Sequence, residues 1–272
     1  MRAVEKRGKA LVTGASSGIG ATYADRLAQR GHDLVLVARD KKRLSDLAAK
    51  LSAQYGVTVD VLKADLTLRD DVRLVEKRLR EDEAIELLVN NAGIGPKGPL
   101  LTDDLDYLEA MIELNVVAVN RLAIAAAQTF AMRGKGAIIN IASVVALVPE
   151  RFNGTYNASK AFVLNLTQSI NVEAADKGVR VQAVLPGLTR TEIFDRAGGS
   201  IDRLDPSMVM DVTDLVDAAL AGFDQGELVT IPSLPDAADW HAFTKARMVL
   251  SPNLSHDRPA ARYGVEQTAA AV

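Results

Sequence analysis

Tyr156 and Lys160 stand four residues apart. On a helix that spacing puts both side chains on one face. An ammonium beside a phenol favours the phenolate, lowering a pKa that is ordinarily about 10. A phenol tuned this way can give a proton to a carbonyl oxygen as hydride arrives at the carbon, or remove that proton in reverse. Ser143 carries a hydroxyl that would hydrogen-bond the same oxygen and hold it in place. Taken singly, Tyr156 also suits a helix interface, and Lys160 a solvated helix face.

A second group lies near the start of the chain. Lys9 to Thr13 read as a short buried strand, and a helix follows from Gly18 to Arg30, with Gly14, Gly18 and Gly20 at the junction. Such a turn lets backbone approach a phosphate, and the helix N-terminus offers N–H groups and a positive dipole end. The stretch reads as a cradle for a nucleotide pyrophosphate. Its spacing is Gly-x3-Gly-x-Gly rather than the Gly-x-Gly-x-x-Gly of ordinary dinucleotide folds. The same glycines would also serve a tight turn ahead of a buried helix. Further on, Arg39 ends a second apolar run. A guanidinium suits a ribose 2′-phosphate through charge and fork geometry. Lys41, Lys42 and Arg43 could add field, although Lys41 and Lys42 also fit a solvated helix start. Asp40 would weaken such a site or cap the next helix.

These groups need elements to position them. Strands are expected at 9–13, 33–38, 57–63, 85–89, 136–142, 179–185 and 227–231. Helices are expected at 18–30, 41–54, 68–80, 112–132 and 155–175. Alternation of this kind predicts an α/β fold, a doubly wound parallel sheet of about seven strands with helices on both faces. Ligands bind such a sheet outside the carboxyl ends of its strands. The residues that follow each strand are Gly14, Arg39, Asp65, Asn91-Ala92-Gly93, Ser143 and Pro186-Gly187. Singly, Asp65 could be a helix cap, Asn91 a turn residue and Pro186-Gly187 a loop breaker. Together they converge on one rim.

With 272 residues, 48% of them hydrophobic, the chain can bury a sizeable core as one domain. A formal charge of −3 gives no basic field to draw nucleic acid or anionic lipid. There is no cysteine, hence no disulfide or thiolate metal site. His32, His241 and His256 lack metal-ligand spacing, so no metal is expected. The apolar run from Ile112 to Met132 is broken by Asn115, Asn120 and Arg121, which predicts a buried helix rather than a membrane span. The charged N-terminus lacks a signal-peptide core, and a cytoplasmic protein is expected.

The motifs Thr13-Gly14-Ala15-Ser16-Ser17-Gly18-Ile19-Gly20, Asn90-Asn91-Ala92-Gly93, Ser143, Tyr156-x3-Lys160 and Pro186-Gly187 with Thr189 and Thr191 together resemble the classical short-chain dehydrogenase/reductase family, over about residues 8–231. The resemblance implies a Rossmann-like domain, a nicotinamide cofactor, and hydride exchange with a carbonyl or secondary alcohol. It implies a catalytic set of Asn115, Ser143, Tyr156 and Lys160. Asn115 would complete a proton path to Lys160 through water, and Lys160 would also hold the nicotinamide ribose. The implied cofactor site comprises Gly14, Ser16, Ser17, Gly18, Ile19, Gly20, Arg39, Asp65, Leu66, Asn91, Ala92, Gly93, Tyr156, Lys160, Pro186, Gly187, Thr189 and Thr191. Within it Asp65 meets the adenine edge and Asn91 the adenine ribose, while Thr189 and Thr191 lie near the carboxamide and phosphates. Ala38 takes the place of the acid in NAD-using relatives, so NADP(H) is the expected cofactor. The reading is an NADP(H)-dependent ketoreductase of a small-molecule carbonyl, with a non-catalytic NADP(H)-binding regulator as the alternative. An epimerase or dehydratase on a related fold would need a longer substrate domain.

Three expectations concern the remainder. Val116, Val119, Leu122, Ala123 and Ala126 on one helix, and Phe162, Leu166 and Ile170 on another, read as too apolar for a single sheet-facing stripe. In the family these helices pair across a two-fold axis, which implies a homodimer or homotetramer. The segment 191–210 corresponds to the family's substrate loop, where Phe194, Ile201, Leu204, Met208 and Met210 could form an apolar lid or pack ordinarily. Finally, the catalytic domain is expected to span 1–231, with 232–272 as an extension. Asp236 would cap a helix there carrying Trp240 and Phe243. That extension could cover the sheet edge, contact a neighbouring subunit or wall the substrate pocket.

Overall fold

The structure is a computed structural model, and it describes residues 7–192 and 204–265. By its contacts the chain divides into two units, Met1–Ser233 and Leu234–Val272.

The first unit is built on seven strands: β1 (Arg7–Thr13), β2 (His32–Ala38), β3 (Val59–Lys63), β4 (Ile85–Asn90), β5 (Gly136–Ile141), β6 (Val179–Val184) and β7 (Val229–Thr230). They form one sheet in the order β3-β2-β1-β4-β5-β6-β7. Every pairing is parallel. Among the described residues of this unit the α-helices are α1 (Gly18–Gln29), α2 (Lys41–Tyr55), α3 (Arg69–Glu81), α4 (Leu105–Ile112), α5 (Val119–Arg133), α6 (Gly154–Ala174) and α7 (Val212–Asp224). The doubly wound parallel sheet is therefore as the alternation implies.

Side-chain alternation along the strands explains why both faces are covered. Ala10, Val12, Leu34 and Leu36 point into one core, with Tyr23 and Leu27 of α1, Leu44 and Leu51 of α2, and Leu215 and Val216 of α7. The intervening Leu11, Val35 and Val37 point into a second core, with Val72, Val75 and Leu79 of α3, Leu122 and Phe130 of α5, and Ile170 of α6. A period of two on continuously apolar strands leaves no solvent face, so each face must be roofed by helices.

Helix ends follow local chemistry. Asp40 caps α2, accepting the Arg43 N–H at 3.0 Å. Asp104 caps α4 through the Tyr107 N–H at 2.9 Å. Gly56 and Gly134 close α2 and α5 at φ 71° and 70°, the left-handed conformation that glycine takes without strain. The helix expected at 112–132 is different. A π-helical segment, Glu113–Ala118, joins α4 to α5 and contains Asn115. Leu105–Arg133 is long and apolar enough to cross a membrane by length and composition alone. Within the fold α5 packs against α3, α6 and β5. Val119, Leu122, Ala123, Ala126 and Ile170 are buried inside this chain. Their apolarity is thus taken up by the chain's own core. Val116, Phe162 and Leu166 stay half-buried.

Of the expected lid, Phe194 and Ile201 lie outside the described residues. Met210 is tied to the strand ends: its N–H donates to the Leu188 carbonyl at 2.9 Å, and its carbonyl accepts from Arg190 N–H at 3.0 Å. Met208 is exposed.

The second unit contains α8 (Ala237–Val249). Asp236 caps it, accepting the Ala238 N–H at 2.8 Å. Trp240 and Phe243 stack on each other, ring centres 5.5 Å apart.

Candidate active site

A cavity of about 960 Å³ runs along the carboxyl ends of the strands, at the point where the order reverses between β1 and β4. Arg39 and Asp65 line one end, the glycine turn the middle, and Ser143, Tyr156 and Pro186-Gly187 the other. All the site residues expected from the sequence line it, except Gly20 and Asn115.

Gly20 is buried, and a Cβ there would collide with the Gly14 carbonyl oxygen. It lets α1 pack against the turn that feeds it. Gly18 does line the cavity, with φ 53°, and a Cβ there would meet Thr191 at 3.3 Å. On Gly93 a Cβ would stand 3.0 Å from Asn115 Oδ1 and 3.5 Å from Lys160 Nζ. The cavity thus keeps bare backbone where a phosphate or ribose would approach, beside the N-terminus of α1.

Several expected ligands also hold the rim together. Asn91 donates through Nδ2 to the Thr13 carbonyl at 2.9 Å. The N–H groups of Asn91 and Ala92 both donate to Thr13 Oγ1, at 2.9 and 3.0 Å. The end of β4 is thereby bolted to the end of β1. Asp65 Oδ1 accepts from the Thr67 N–H at 3.0 Å and the Thr67 hydroxyl at 2.8 Å. Its other oxygen stands 4.0 Å from the Arg39 guanidinium. The Arg39 side chain is 63% exposed at the cavity edge. Arg43 is paired with Glu192 at 3.0 Å.

Asn115 is fully buried. Its Oδ1 accepts the Ile94 N–H at 2.9 Å, and its Nδ2 donates to the Ile94 carbonyl at 2.9 Å and to Ser159 Oγ at 3.3 Å. The side chain is spent on the turn after β4 and on α6. No hydrogen bond joins it to Lys160 among those of the described residues.

Lys160 is 6% exposed and donates from Nζ to the Ile141 carbonyl at 3.1 Å. Burial pushes its pKa down to about 8. The half-buried Tyr156 moves the other way: burial pushes its phenol up to about 12, while a hydrogen bond with Ser143 pulls it down. The lowering expected from the Lys160 charge is absent, because desolvation dominates. Ser143 also lies 3.3 Å from the Pro186 carbonyl and accepts the Val145 N–H at 3.4 Å. A hydroxyl has one proton, so Ser143 donates either to Pro186 or to the oxygen in front of it.

Among the cavity residues that escaped the sequence reading are Tyr107, Lys97, Asn153 and Phe152. Tyr107 donates its hydroxyl to the Gly95 carbonyl at 2.7 Å, with the Lys97 ammonium 3.9 Å from its ring centre. Asn153 caps α6, accepting the Thr155 N–H at 3.0 Å and the Tyr156 N–H at 3.3 Å. Phe152 lines the wall beside it.

A glycine-turn cavity with a serine, tyrosine and lysine at its far end is what the motifs imply. A family model described as short chain dehydrogenase matches residues 8–199. The chain belongs to the short-chain dehydrogenase family. It is similar to a short-chain dehydrogenase from Sphingobium yanoikuyae, solved in complex with NADPH, at 52% identity and a TM-score of 0.92, covering 94% of this chain and 99% of that one. It is also similar to a bulky-bulky ketone specific alcohol dehydrogenase from Comamonas testosteroni, at 48% identity and a TM-score of 0.88, covering 95% and 99%. An uncharacterized oxidoreductase of Staphylococcus saprophyticus is 34% identical over 82% of this chain and 93% of its own. A very-long-chain 3-oxoacyl-CoA reductase of Anas platyrhynchos is 35% identical over 72% of this chain, which spans 64% of that longer relative. The short-chain dehydrogenase is therefore an oxidoreductase, with the nicotinamide cofactor usual in its family.

Proposed function

We propose that this protein is an NADP(H)-dependent reductase of ketones, reversible as a secondary-alcohol dehydrogenase. The observation that carries the reading is that one cavity joins Arg39 at one end to Ser143, Tyr156 and Lys160 at the other. The NADPH bound by the Sphingobium neighbour and the ketone specificity of the Comamonas neighbour support it.

A nicotinamide held in this cavity would supply or accept the hydride. The chain's own residues do the rest. The turn from Gly14 to Ile19 would hold the pyrophosphate at the N-terminus of α1. Arg39 would hold a 2′-phosphate through a charge-assisted hydrogen bond, and Ala38 leaves room that a carboxylate would close by repulsion. Asp65 and Leu66 would flank the adenine. Ser143 turns its proton from Pro186 to the substrate oxygen and holds it against Tyr156. Tyr156, whose phenol is protonated at neutral pH, gives that oxygen its proton. Lys160 keeps positive charge near the developing alkoxide while it remains protonated. Asn115 acts through the Ile94 turn and Ser159, as a positioning residue.

The test is NADPH and NADH oxidation with a panel of ketones, beside direct binding of both cofactors. Turnover with NADPH is expected. NADPH binding without turnover on any ketone would favour the regulatory alternative, which has no use for a complete Ser143, Tyr156 and Lys160 set.

A further inference from the structure

Among the described residues, Phe152 is the only one other than glycine with a positive φ, at 65°. A bulky side chain rarely adopts this conformation, and it persists only where its surroundings dictate it. Here they do. The buried Asn157 donates through Nδ2 to the Pro149 carbonyl at 3.2 Å and to the Arg151 carbonyl. The buried Asn153 caps α6 on the other side and donates to the Gly98 carbonyl at 3.1 Å and Asp103 at 3.2 Å. The bend is clamped on both flanks of Phe152.

This strain does not bury the ring. Phe152 is 66% exposed, yet it lines the cavity four residues before Tyr156, with Val144, Val145 and Leu188. A fold that merely needed this bend would be served better by glycine, which takes positive φ freely. A large aromatic surface is instead presented at the reacting end of the cavity, with little packing of its own.

We infer that Phe152 is a specificity-determining residue, whose ring packs against an aryl or similarly bulky apolar substituent of the ketone. The inference rests on the reductase reading for the class of substrate. Aromatic pairs gain free energy beyond the area they bury, so an aryl group is the best match for this wall.

The test compares the full chain with Phe152→Gly and Phe152→Leu, using benzophenone as the bulky ketone and acetone as the small one. In Phe152→Gly, kcat/KM for benzophenone should fall about tenfold relative to that for acetone. Leu should recover part of the loss. The Tm of Phe152→Gly should stay within about 3 °C of the parent or rise, since the strained φ is relieved. Equal losses on both ketones, or a Tm fall beyond that range, would overturn the assignment and make the ring structural. Benzophenone binding by saturation-transfer NMR needs no turnover. Binding weakened by Phe152→Gly, in a parent protein that reduces neither ketone, would uphold the wall and overturn the reductase reading. Unchanged binding would overturn the wall.

Discussion

The Lys160 ammonium lies 5.7 Å from the centre of the Tyr156 ring, and the pKa values of the two groups are displaced in opposite directions. Burial holds the phenol at about 12 and the ammonium at about 8. Tyr156 is therefore ready to donate over the whole neutral range, and Lys160 sets the limit. Reduction also consumes a proton. The kcat/KM for ketone reduction should fall as pH rises through about 8, and that for alcohol oxidation should rise. Paired pH–rate profiles check this. A reduction profile flat to pH 10 would remove the Lys160 charge from the reaction.

The same shift has a consequence for stability. Lys160 is depressed in the fold from 10.5 to about 8. Below 8 both folded and unfolded chains carry the proton, and the fold bears the cost of a buried charge. Between about 8 and 10.5 the folded chain releases it first, so this group's contribution to stability rises with pH. Lys160→Met should abolish turnover and remove that rise. The check is Tm against pH from 7 to 10 for both proteins. The parent should gain on the variant across that window. Above 10 the raised phenols of Tyr23 and Tyr156 act in the opposite direction.

Asn115 should behave as a positioning residue. Its amide satisfies both the N–H and the carbonyl of Ile94. Asn115→Ala leaves those buried groups unpaired, and should cost about 2–4 kcal/mol of stability together with activity. Urea unfolding measures the first. A variant with parental stability and lost activity would instead give Asn115 a direct part in the chemistry.

The cofactor end gives a separate test. Arg39→Ala should weaken NADPH by roughly 10- to 100-fold, the worth of a hydrogen bond between charged groups, and leave NADH nearly unchanged. Ala38→Asp should shift preference towards NADH. Equal losses for both cofactors, from kcat/KM or binding, would contradict a 2′-phosphate contact at Arg39.

Much of this site is legible in the sequence because its signals are local. The glycine turn, Tyr156 with Lys160, and Asp40, Asp104 and Asp236 at helix starts need only a few neighbouring residues to be read. The α7 signal was equally available, with Asp211 as cap and Leu215, Val216, Ala219 and Leu220 at helical spacing. Asn153, three residues before Tyr156, is also an ordinary capping signal. The π-helical segment is not legible, since apolar periodicity runs through 105–133 without a break at Asn115. Nor is the φ of Phe152, which tertiary clamps impose. The phenol's pKa misled for a related reason: spacing reports that Lys160 is near, but not how much water both groups have lost.

The central claim is that Tyr156 is the proton donor and acceptor, and Tyr156→Phe tests it most directly because only a hydroxyl is removed. NADPH affinity should stay within about threefold of the parent and kcat should fall by roughly 10²- to 10⁴-fold, the usual worth of a positioned acid. A folded Tyr156→Phe protein that binds NADPH and keeps a tenth or more of the parent's turnover would contradict it.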